Sequence, residues 1–151
     1  MSNHANYQCS CFCGAVKFNL TGSPEAQAYC HCDDCRHWAA GPVNAFTLWN
    51  PDAVEVTSGS DKIEGFDKNS AQNNGEVLSN RKWCKVCGGH VFIQHPGMGL
   101  IDVPAVLIEG LDFKPGFHVH YQQTVLPMKD GLPKFKDLPK EAGGSGEQVE
   151  E

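Results

Sequence analysis

The chain has 151 residues, 40% hydrophobic and 20% charged, with 16 Gly and 9 Pro, a composition that fits one turn-rich globular domain and argues against long helices. Its formal charge is −6, of which −4 lies in the last eleven residues (Glu141, Glu147, Glu150 and Glu151), so the body offers no surplus of Lys and Arg to displace counterions from phosphate and nucleic acid is a poor partner. No apolar run approaches the roughly 18 residues that cross a bilayer, and Met1 to Tyr7 lacks the basic start and apolar stretch of an export signal; the expectation is a cytoplasmic protein with no membrane partner.

In chain order, β-branched and aromatic runs predict strands at Ala15 to Leu20, Asn44 to Trp49, Ala53 to Ser58, His90 to His95, Val103 to Ile108 and Phe117 to Tyr121. Turn residues separate them at Asn50-Pro51, Ser58-Gly59-Ser60, Asn73-Asn74-Gly75, Pro96-Gly97 and Lys114-Pro115-Gly116. One short helix is predicted over Asp33 to Ala40, capped by Asp33 or Asp34 and stopped by Gly41-Pro42. The fold class is therefore mainly β, with one short helix that begins inside a cysteine cluster. Its first amides would face those sulfurs and favour their negative charge. Beyond Leu126, prolines at 127, 133 and 139 forbid regular structure while apolar residues recur, which predicts an extended arm packed on the body. Residues 140–151 form an acidic tail; from Glu141 on, its one aliphatic side chain beyond Ala142 is Val149, and it is expected to be disordered.

The eight cysteines, in a chain read as cytosolic, point to metal ligation rather than disulfides. Cys84-Lys85-Val86-Cys87-Gly88-Gly89 is a CxxC knuckle, and Cys11-Phe12-Cys13-Gly14 offers two further sulfurs from an extended segment whose residues i and i+2 share a face. Together Cys11, Cys13, Cys84 and Cys87 complete a closed tetrahedral zinc site that ties the first strand to the middle of the chain. The second cluster, Cys30-His31-Cys32-Asp33-Asp34-Cys35, places three thiols in six residues. Three protein ligands leave the fourth position of a zinc ion to water or substrate, as in catalytic sites. Closure by Cys9, His31, His37, His90, His118 or His120 is the alternative. Cys9 itself reads as a small buried side chain.

The ordered motifs CFCGAV, CHCDDCR and CKVCGG, with the late segment LPKFKDLP, resemble the glutathione-dependent formaldehyde-activating enzyme family, which also contains the centromere protein V domain. The resemblance covers Tyr7 to Pro139 and so implies a zinc domain over 7–139, with an Mss4-like, zinc-stabilised β-sheet fold. It further implies two zinc ions, a structural one on Cys11, Cys13, Cys84 and Cys87 and a catalytic one, more labile, on Cys30, Cys32 and Cys35. The activity it implies is that of a carbon-sulfur lyase, S-(hydroxymethyl)glutathione synthase-like, whose partners are a small thiol such as glutathione and a small electrophile such as formaldehyde. The competing reading is a non-catalytic, zinc-stabilised protein-interaction module on the same fold.

Other candidates follow from chemistry. Glutathione carries two carboxylates, and Arg36, adjacent to Cys35, is the cation expected to hold one. His31 alternates away from Cys30 and Cys32 and reads as a wall or hydrogen-bonding group. His118 and His120 share one strand face, which reads as a polar outer surface.

Overall fold

The structure, a computed structural model, describes residues 5–68 and 79–151; the turn expected at Asn73-Asn74-Gly75 lies outside them. It is mainly β with one α-helix among the described residues, as the composition implies. The chain divides into two compact units: Met1–Glu25 with Thr47–Asp112, and Ala26–Phe46 with Phe113–Glu151.

The first unit contains a three-stranded antiparallel sheet in the order β1 (Asn6–Ser10), β2 (Lys17–Thr21), β5 (Val54–Ser58). In β2 the alternation of Lys17 and Asn19 with Phe18 and Leu20 turns two apolar side chains fully inward, which is why this stretch forms a half-buried strand. The unit also contains an antiparallel ribbon of β6 (Ile63–Phe66), β7 (Asn80–Cys84), β8 (His90–His95) and β9 (Leu100–Pro104). Val91, Phe92 and Ile93 are all buried in β8, the signature of a strand covered on both faces. Phe18 and Phe92 meet edge to face at 5.4 Å, inside a core that also holds Val16, Leu20, Trp49, Val91 and Val103. Two buried polar side chains in this core satisfy each other: Trp49 Nε1 donates to Thr47 Oγ1 at 2.7 Å, and that hydroxyl donates to the Val103 carbonyl at 2.7 Å.

In the second unit β3 (Ala26–Cys30) pairs in parallel with β10 (Phe117–Val119), and β3 delivers the chain directly into the helix α1 (Asp33–Ala39). Strand β4 (Asn44–Trp49) runs from the second unit back into the first. The arm after Leu126 lies along β10: His118 N–H donates to the Pro133 carbonyl and Phe135 N–H to that of His118, both at 2.9 Å.

Several expectations need correction. The cap of α1 is Cys32, whose sulfur accepts from Cys35 N–H at 3.3 Å, and not Asp33 or Asp34; a thiolate-type acceptor occupies the position a carboxylate was expected to fill. The strand expected at Val103 to Ile108 sits earlier, at β9, and ends in a 3-10 turn over Ala105–Leu107. β10 stops at Val119 because His120 takes a left-handed conformation (φ 52°), so His118 and His120 do not share a strand face. Strands β1, β3, β6 and β7 were not foreseen, because their sequences NYQCS, AQAYC, IEGF and NRKWC lack a clean apolar alternation. The tail expected to be disordered is engaged instead: Val149 N–H donates to the Lys134 carbonyl at 2.8 Å, Lys136 N–H to that of Glu147 at 2.8 Å, and a 3-10 turn spans Lys140–Ala142. Composition alone misjudged this segment, because the Lys134 ammonium and the arm's open backbone groups supply partners that a free tail would lack. No helix among the described residues is long and apolar enough to cross a membrane.

Candidate metal and active site

The first cysteine cluster is built by two tight loops of the first unit. After β1 the chain turns back on itself: Cys11 N–H donates to the Val16 carbonyl at 3.0 Å and Gly14 N–H to that of Cys11 at 3.2 Å. After β7 the second loop closes with Gly88 N–H on the Cys84 carbonyl at 2.7 Å and Cys84 N–H on that of Gly89 at 2.9 Å. Both loops aim amides at their own sulfurs. Val16 and Ala15 donate to Cys11 and Cys13 at 3.3 and 3.4 Å, and Val86 and Gly89 donate to Cys84 and Cys87 at 3.4 and 3.3 Å. The hydrogen bond from Gly89 leads the causes that pull the Cys87 thiol down to about 6, so a thiolate is favoured there. A Cβ on Gly89 would lie 3.2 Å from both Cys87 Sγ and the Phe12 backbone nitrogen, so the absence of a side chain lets the two loops approach.

The four sulfurs lie within 4.8 Å of one another. Cys11 and Cys13 are 3.7 Å apart, and Cys13 and Cys84 are 3.9 Å apart. Four sulfurs about 2.3 Å from a tetrahedral zinc would stand about 3.8 Å from each other, so the donor set fits the ion by chemistry and by spacing. These separations are far from the roughly 2 Å of a disulfide, and all eight cysteines are free.

The second cluster belongs to the end of β3 and the start of α1. Cys30, Cys32 and Cys35 bring three sulfurs within 4.8 Å, again a spacing that one zinc ion can bridge. Hydrogen bonds from Cys30 and then Cys35, joined by the Cys35 amide and the nearby His120, hold the Cys32 thiol far below its usual range. The Cys32 and Cys35 side chains, with burial, push Cys30 up. Of these two thiols Cys32 ionises first.

Cys9 joins neither cluster. It is packed in the first unit's core, where burial raises its thiol to about 12. Arg36 is a helix residue whose Nε donates to the His31 carbonyl at 2.9 Å, with the guanidinium 3.6 Å from Asp33 Oδ1. It also lines an open cleft of about 390 Å³ with Asp33, His37, Ala40, Gly41 and Pro42.

The polar-surface reading of His118 is overturned: His31 and His118 are both fully buried, because the arm pairs along β10 and covers that face. His31 Nε2 and His118 Nδ1 are 2.8 Å apart, His31 Nδ1 meets Thr124 Oγ1 at 2.8 Å, and His118 Nε2 meets Asp130 Oδ2 at 2.7 Å. Burial first, then the charges of His118, Arg36 and Lys134, push the His31 imidazole down to about 4, so the ring is neutral. Asp130, Thr124 and Lys134 gave no sequence signal, since they lie far along the chain from the cluster they serve. His120 Nδ1 is buried with no hydrogen-bond partner among the described residues, and its residue holds a left-handed backbone that side chains other than glycine seldom adopt.

A mainly β chain with a four-sulfur set and a separate three-sulfur set is the frame of a protein that could hold two metal ions. The sequence matches the glutathione-dependent formaldehyde-activating enzyme family over residues 6–123, and the chain belongs to that family. An uncharacterized lyase of Schizosaccharomyces pombe is 23% identical over 107 residues, 70% of this chain and 71% of its own. A crystal structure of a Rhodobacter sphaeroides protein aligns with 70% of this chain and 90% of its own, at 17% identity and a TM-score of 0.52. That degree of likeness is one of fold.

Proposed function

We propose that the protein is a zinc-dependent carbon-sulfur lyase that joins glutathione or a similar small thiol to formaldehyde or a related small electrophile, or runs that reaction backward. The observation that carries the reading is the three-sulfur set of Cys30, Cys32 and Cys35, distinct from the four-sulfur set that suffices for a scaffold. Family membership supports the glutathione and formaldehyde chemistry, and the lyase name of the Schizosaccharomyces pombe relative supports the reaction class. Eight free cysteines suit a reducing compartment such as the cytosol.

Cys11, Cys13, Cys84 and Cys87 would hold a structural zinc, and Cys30, Cys32 and Cys35 a catalytic one. When bound at the second set, zinc supplies a thiol at neutral pH with its proton removed, which three anionic sulfurs favour over polarisation of a carbonyl. In the forward direction a C–S bond forms between the thiol sulfur and the carbonyl carbon, the carbonyl π pair moves to oxygen, and the thiol's proton ends there. Arg36, in its cleft beside α1, offers the cation for a glutathione carboxylate, with His37 and the Gly41-Pro42 turn as neighbouring walls. His120, whose field reaches Cys32, offers an uncommitted ring nitrogen to a polar group of the substrate.

The test is zinc counting on wild type and Cys32→Ser, together with exchange spectroscopy of glutathione and formaldehyde. Two zincs and accelerated exchange are expected for wild type, one zinc and the uncatalysed rate for the variant. Two zincs without acceleration would make the named activity wrong; a single zinc in wild type would remove the open site.

A further inference from the structure

A line of side-chain hydrogen bonds runs through the second unit from the cysteine loop to an ion cluster around the buried Lys134. Thr124 Oγ1 meets His31 Nδ1, His31 Nε2 meets His118 Nδ1, and His118 Nε2 meets Asp130 Oδ2, at 2.8, 2.8 and 2.7 Å. The other Asp130 oxygen accepts from Lys134 Nζ at 2.8 Å and from Leu132 N–H at 3.1 Å. Lys134, 1% exposed, also donates to Glu151 Oε1 at 3.0 Å and to the Leu132 carbonyl at 3.1 Å. Tyr29 stacks on His118 at 4.9 Å, and Tyr121 closes on His31 at 4.8 Å, so both rings are walled in.

One end of this line is fixed: an ionised carboxylate can only accept, so His118 Nε2 carries the hydrogen it gives to Asp130. Lys134 is shared between Asp130 and Glu151, so one ammonium holds two carboxylates at that end. At the other end the Thr124 hydroxyl meets His31 Nδ1 and reaches the Leu126 carbonyl at 3.1 Å, while Leu126 N–H donates to its oxygen at 3.2 Å. Every ring nitrogen of His31 and His118 is thus engaged.

His31 stands between Cys30 and Cys32 in the chain, and its surroundings are fixed from the same side. Its amide donates to the Val119 carbonyl at 3.1 Å, its carbonyl accepts from Arg36 Nε at 2.9 Å, and next to Cys32 the Asp33 amide donates to Gln123 Oε1 at 2.7 Å. We infer that Asp130 is a positioning residue for the second cysteine cluster: through His118 it fixes the His31 ring in place and so holds the Cys30 to Cys35 loop in the shape that brings its three sulfurs together. The inference rests on the reading of that loop as a metal site; it adds a remote carboxylate that keeps the site in shape. Outer partners of metal sites typically govern affinity by about 10–100-fold, and this line is such a partner acting through the backbone of His31.

The experiment needs no turnover. Long-range proton-nitrogen correlation spectra of the zinc-loaded protein report which ring nitrogen of each histidine carries hydrogen, and chelator competition gives zinc affinity at each cluster. In wild type His118 is expected to carry hydrogen on Nε2. Asp130→Asn keeps a carbonyl for Lys134 and presents an N–H to His118, so it should take that hydrogen off Nε2 with zinc affinity within about threefold of wild type. Asp130→Ala removes the anchor and should weaken zinc at the second cluster by about tenfold, leaving the first unchanged. Glu151→Gln, which loosens the same ion cluster without touching His118, should leave both affinities as they are. A wild-type His118 without hydrogen on Nε2 overturns the inference, as does full second-cluster affinity in Asp130→Ala or an equal loss in Glu151→Gln. If Asp130→Ala does not fold, the wild-type and Asp130→Asn spectra decide. Failure here leaves the exchange reaction untouched, and failure of exchange with two zincs bound leaves this inference standing.

Discussion

The two cysteine clusters use the same side chain at different distances along the chain. In the first unit Cys13 and Cys84 meet across 71 positions; in the second, Cys30, Cys32 and Cys35 come from a single turn that enters α1. Closing a long loop removes far more freedom from the unfolded chain than closing a local one, so an ion on the first set acts on the whole unit's stability. An ion on the second set constrains little that hydrogen bonds do not already hold. The difference teaches that a cluster can be spared for chemistry when it is not needed for folding.

The sharpest way to break this contrast is Cys84→Ser. It removes a fully buried sulfur of the four-sulfur set, where a bound zinc would contribute on the order of 10 kcal/mol, comparable to the stability of a small domain. The expected outcome is loss of cooperative melting in calorimetry, and the same loss on exhaustive chelation of wild type. Cys32→Ser, by contrast, should remove one zinc and the exchange activity yet keep a cooperative transition. An equally severe collapse would show that the second cluster is structural too.

A smaller effect separates the units by pH. Hydrogen bonding to Lys134 leads the causes that lower Glu151, and against the burial that would raise it Asp130 is lowered by Lys134 and His118. Carboxyls lowered on folding stabilise above their unfolded values, near pH 4, and that contribution is lost as pH falls through the folded ones. Lys134 is raised by Asp130 and Glu151 despite its burial, so its share persists up to its unfolded value near pH 10 and fades above its folded one. Glu151→Gln should therefore melt earlier than wild type at pH 7, and the gap should narrow as the solution is acidified below pH 4. The smallest expected change is at Phe12, 91% exposed although it lies between two cysteines of the first cluster: Phe12→Ser should shift stability by no more than about 0.5 kcal/mol.

The clusters were legible because thiol spacing is a local code: CFC, CHCDDC and CKVC state their geometry within a few residues. The helix and the strands that alternate cleanly, such as β2, were legible for the same reason. The line from Thr124 to Asp130 was not, because His31 and His118 meet across 87 positions and the arm that buries them pairs through backbone groups that leave no mark in composition. His118 looked like a surface residue until Pro133 and Phe135 were seen covering its strand. Arg36 was foreseen as a cation beside the cluster, but its bond to the His31 carbonyl depends on the turn into α1 and could not be read from adjacency.

Cys9 gives the molecule an internal reporter. Seven thiols sit in sets that a metal can mask, and the eighth is 4% exposed inside the first unit's core. A thiol reagent added to zinc-loaded protein can reach Cys9 only when that core opens, so its rate of labelling measures how often the first unit's core opens.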